Sequence, residues 1–129
     1  MEIAFLVGRV MIGLFWINGA IAHFTQAKFM VPYAKMKGVP FSELAVPGTG
    51  ILLLIAGVSI LTGIFPVIAV AALALFLIPV TLMMHNFWAI EDQTMKMNDM
   101  VMFTKNMALL GYTLVLLAIP QPWPFSLGV

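Results

Sequence analysis

Between Leu44 and Ile90 the chain has no Asp, Glu, Lys or Arg. As one helix this stretch would run about 70 Å at 1.5 Å per residue, whereas the hydrocarbon core of a bilayer is only about 30 Å thick. It must therefore cross, turn and cross again. Gly63-Ile64-Phe65-Pro66 supplies the turn: glycine suits the residue just past a helix end, and proline the first position of the next helix. Two spans follow, near 44–64 and 66–88. Two more apolar stretches of crossing length lie near 3–24 and 100–119. The expectation is an all-α integral membrane four-helix bundle forming a single domain over 1–129.

Composition narrows the function classes. Apolar residues make up 63% of the chain and charged residues 9%, against about 25% charged in an ordinary soluble domain. The lipid bilayer is the expected solvent. Six basic and five acidic residues nearly cancel, so there is no basic stripe for a phosphate backbone, and no nucleic acid partner is expected. The absence of cysteine removes thiolate metal sites and any thiol redox centre, so redox chemistry would belong to a cofactor or a partner chain. The eleven methionines are read as gap-fillers between helices.

The connections carry the charges. Segment 25–43 reads as a loop broken by Pro32, Gly38 and Pro40, with room for a short helix in the interface. Segment 89–99 holds Glu91, Asp92, Lys96 and Asp99. Four crossings put both ends of the chain and the Gly63 turn on one side, A, and the two long connections on the other, B. Lys28, Lys35, Lys37 and Lys96 fall on side B, which the positive-inside rule makes cytoplasmic. The first span, with Glu2 and no basic start, reads as a retained span rather than a cleaved signal. The proline-rich tail from Pro120 cannot be helical, and its aromatics suit the headgroup region.

Polar groups inside a span are costly, so each is a candidate. Near side A, Arg9, Ser59 and Tyr112 come to one depth and form a possible polar layer. Arg9 either reaches the headgroups or must find hydroxyls, carbonyls or an anionic ligand. Near side B, His23, His85, Asn86, Lys105 and Asn106 come from three spans to one band, with Asn18 at the same level. Lys105, so deep, needs a carboxylate; Glu43, Glu91 and Asp92 are the candidates. No metal site is expected, since two histidines lack the further carboxylates of a bundle metal centre. Apolar walls with a few convergent polar groups are what a quinone pocket requires.

The residues also resemble the DoxX family. Gly8-Arg9 opening an apolar span, Glu43-Leu-Ala-Val-Pro47, the run from Phe76 through His85-Asn86-Phe87-Trp88, and Phe103-Thr-Lys-Asn-Met-Ala-Leu-Leu-Gly111 together carry the likeness. The resemblance implies a four-helix inner-membrane protein of bacteria or archaea, akin to the small subunit of a thiosulfate:quinone oxidoreductase and to members of membrane oxidoreductase complexes. Arg9, His85, Asn86, Trp88, Lys105 and Asn106 carry over as candidate positions. The functional expectation is a membrane subunit of a quinone-linked redox complex. His85 and Lys105 would hydrogen-bond the quinone oxygens, and Glu91 or Asp92 would pass protons. Partners would be other membrane subunits or further copies of the chain. The alternatives are a structural or assembly subunit without chemistry of its own, and a small oligomeric carrier.

Overall fold

A computed structural model describes residues 1–128. Five helices make up the chain: α1 (Glu2–Thr25), α2 (Ala27–Met36), α3 (Ser42–Thr62), α4 (Pro66–Met84) and α5 (Gln93–Val115), with single 3-10 turns at Phe87–Ala89 and Leu116–Ala118. All but α2 are long and apolar enough to cross a membrane. The protein is a multi-pass, all-α membrane bundle, and there is no strand among the described residues.

The α3–α4 turn forms for the reasons its sequence suggests. Gly63 sits at φ 77°, a left-handed conformation without a Cβ penalty only for glycine, and its N–H bonds Ser59 O at 2.8 Å. Pro66 opens α4. Ser59 Oγ donates to the turn carbonyls of Ile64 and Phe65, which would otherwise be stranded at the membrane boundary.

Two elements differ from expectation. The fourth span starts at Gln93 rather than near Met100, because Asp92 caps it by accepting from Met95 N at 2.9 Å and nothing in 93–99 breaks a helix. Its polar first turns continue the apolar span, so helix and final turn reach about 39 Å at the helical rise. The tail is non-helical as expected, yet Trp123 does not face out from the protein. It is buried, meeting Phe5 edge to face at 5.4 Å between centroids, and the tail folds back over the side A end.

Packing runs in a row, α1 on α3, α3 on α4 and α4 on α5, with α2 laid across α3 and α1. The α1–α3 contact is the closest. A Cβ on Gly57 would stand 2.7 Å from Ile17 Cγ1 and 3.0 Å from Gly13 O, so glycine pairs let the backbones meet. Helices α1 and α5 do not pack closely on one another. In the side B half a cavity fills the space between them.

Candidate functional site: a cavity in the side B half

At the side A end, Arg9 is buried and donates from Nη1 to Pro124 O at 2.7 Å and from Nη2 to Phe125 O at 2.9 Å. Of the outcomes open to it, the structure places it on carbonyls, and those carbonyls belong to the tail. Ser59 spends its hydroxyl on the α3–α4 turn. Among the described residues no hydrogen bond joins Tyr112 to either. The three residues share a depth without forming a hydrogen-bonded layer.

The side B half holds a cavity of about 590 Å³, within the roughly 300–1,000 Å³ of ordinary ligand pockets. Every helix contributes to it. Phe15, Trp16, Leu53, Phe76, Met83 and Leu109 supply apolar wall, and the polar lining is Asn18 and His23 from α1, Tyr33 from α2, Thr49 from α3, His85 past α4, and Lys105 with Asn106 from α5. Four of the residues singled out from sequence, His23, His85, Lys105 and Asn106, therefore face one space. Asn86 does not line it; its Oδ1 is buried without a partner. Trp88 lies outside as well, exposed and edge to face with Phe87 and Phe103.

His23 is fixed from α3. Its Nδ1 lies 3.0 Å from Val46 O and 3.0 Å from Thr49 Oγ1. Gly50 permits the approach, since a Cβ there would fall 2.9 Å from His23 Cβ. His85 is fixed from α5, with Nδ1 3.2 Å from Asp99 Oδ1. The other Asp99 oxygen takes Lys37 Nζ at 2.7 Å. Both members of that ion pair are largely buried, with side chains 11% exposed.

This triad corrects the expected ion pairing. Among the described residues Lys105 has no carboxylate partner; it is exposed, and its Nζ finds only Met102 Sδ there, at 3.5 Å. Glu43 pairs with Lys35 on the surface, Asp92 caps α5, and Glu91 is exposed. Asp99, read as loop, is the acid that reaches a cavity histidine. A signal for it existed in the seven-residue spacing Asp99, Asn106, Thr113, the buried residues of α5. That spacing puts all three on one helix face once α5 begins before residue 99.

The family model of DoxX matches residues 4–86. The chain belongs to the DoxX family. No curated protein and no solved structure matches it. The stretch matched by the DoxX model ends at Asn86, so it takes in His23 and His85 but not α5. Lys105, Asn106 and Asp99 lie on α5, outside that stretch.

Proposed function

We propose that this DoxX protein is a membrane-embedded subunit of a quinone-linked redox complex and that the side B cavity is its quinone site. The cavity carries the reading. It has the size of a ligand pocket, an apolar and aromatic wall, and polar groups from separate helices converging at one level, the composition that binds a flat, apolar head with oxygens at its edges. Because α1 and α5 flank the space without packing together, a lipid-borne ligand has a lateral way in.

Quinone, when bound, supplies the two-electron chemistry that no side chain here can perform. The chain's residues bind and orient. Lys105 and Asn106 offer N–H donors, His23 and His85 offer ring nitrogens, and Trp16 and Phe76 pack against the head. His85, held by Asp99, which Lys37 pairs in turn, takes the proton-handling role first given to Glu91 and Asp92. A bacterial or archaeal inner membrane, with side B cytoplasmic, completes the proposal.

A photoreactive quinone with a short tail tests it on the purified protein in lipid nanodiscs. Cross-links are expected on α1 and α5 residues lining the cavity, suppressed by unlabelled quinone and weakened by Lys105→Met. Suppression to the same degree by an alkyl tail without a head would refute a quinone site. The structural-subunit reading would then stand, favoured by the Asp99 triad, which ties the segment after α2, the end of α4 and the start of α5 without any ligand.

A further inference from the structure

Both histidines of the chain line the cavity, and both are engaged through the same ring nitrogen. The partners decide where each proton sits. Val46 O can only accept, so His23 Nδ1 carries hydrogen; the Thr49 hydroxyl beside it spends its own proton on Ala45 O or Val46 O, at 2.7 and 2.9 Å, and also accepts. Asp99, ion-paired with Lys37, is a carboxylate and likewise an acceptor only, so His85 Nδ1 carries hydrogen too. In a neutral imidazole the second nitrogen is then a bare acceptor. Neither Nε2 has a hydrogen-bond partner among the described residues, and neither is sealed from its surroundings. The ring of His23 is further held edge to face on Phe76, 5.7 Å between centroids.

We infer that the cavity selects the reduced, hydroxyl-bearing form of its ligand, a hydroquinone, through the two Nε2 acceptors. The inference rests on the quinone-site reading and adds the redox form. A quinone carbonyl only accepts, and against an Nε2 lone pair it gains nothing. A phenolic hydroxyl donates to Nε2 and still accepts from Lys105, a donor without acceptor capacity. One head oxygen can thus satisfy a histidine and the lysine together. Asp99 and Val46 are positioning groups here: they fix the proton on Nδ1 and so turn the acceptor toward the ligand.

The test compares three probes on the protein in nanodiscs, without oxygen. They are a short-tail benzoquinone, its hydroquinone, and the hydroquinone dimethyl ether, which loses both donors and carries a methyl on each oxygen. The hydroquinone should bind about tenfold more tightly than either of the others, the worth of one to two net hydrogen bonds. His85→Phe and His23→Phe should each reduce that ratio, melting curves having first shown the variants folded. Should both variants fail to fold, the wild-type ratio between hydroquinone and quinone, which match closely in size, still decides. Equal binding of all three, or tighter binding of the quinone, overturns the selectivity and leaves the quinone site standing. Absence of binding by all three removes the quinone site itself, and the selectivity with it.

Discussion

Asp99 and Lys105 stand six residues apart on one helix and carry opposite lessons about charge near a membrane. Asp99 is buried with two partners, and removing its charge alone leaves Lys37 largely buried and unpaired. Asp99→Asn is expected to cost on the order of 3 kcal/mol, in the range for breaking a buried pair from one side. Lys37→Met combined with Asp99→Leu should recover much of the loss, since neither charge is then stranded. Lys105→Met should melt within about 0.5 kcal/mol of wild type, because the ammonium is exposed and holds no acid. Thermal unfolding in one detergent checks all three; a Lys105 variant as damaged as the Asp99 variant would mean that the lysine is internally paired. Depth along a span is readable from sequence, and it put His23, His85, Lys105 and Asn106 at one level. Which way each side chain turns was not readable, because rotation depends on neighbouring helices. For that reason Lys105 was expected to pair with Glu43, Glu91 or Asp92 and pairs with none of them, while Asp99, which no expectation named as a partner, holds His85 and Lys37.

At the scale of elements, the crossings were legible because length and apolarity are forced by the bilayer, and the Gly63–Pro66 turn because its residues have few other uses. The start of α5 was less so. Its first turns are as polar as a loop, and only the capping role of Asp92, a matter of one hydrogen bond, separates the two readings. The closeness of α1 to α3 also depends on single residues. Gly57→Ala places a methyl within 3 Å of Ile17 N and Ile17 Cγ1, and backbone cannot yield as a flexible side chain can. A loss of about 1–3 kcal/mol is expected from such overpacking. Gly8→Ala, with nothing within 4 Å of its new Cβ, should be neutral or slightly stabilising through helix propensity. Equal melting of the Gly57 and Gly8 variants would show that α1 and α3 do not meet through these glycines.

Taken as a whole, the molecule has two unlike ends. Side B is open, lined with polar groups and walled by a surface helix; side A is closed by the tail, with Trp123 as plug and Arg9 as its clasp. Sequence placed the tail aromatics in the headgroups because a proline-rich segment cannot pair its backbone internally. That reasoning left out Arg9, whose guanidinium takes two of those carbonyls and lets the segment enter the bundle. The closure also depends on Gly63, whose missing Cβ leaves room for Arg9 Nη1 and Ser126 at about 3.1 Å or less, and on Leu127 N donating to Thr62 O at 2.9 Å. Arg9→Met removes both charge-assisted bonds, each worth about 1.5–3 kcal/mol, while keeping the apolar stem. Residues 120–128 should then detach, and a single cysteine placed at Ser126, which is half-buried against Gly63, should label with a membrane-impermeant maleimide much faster than in the Arg9 protein. The same reagent tests topology. Cysteines at Lys37 and Asp92 should label from one compartment and the Ser126 cysteine from the other, since the first two lie in the side B connections and the tail lies on side A. Labelling of positions 37 and 92 from opposite sides would break the four-span arrangement, and unchanged labelling at 126 in the Arg9 variant would show that the tail holds its place without the clasp.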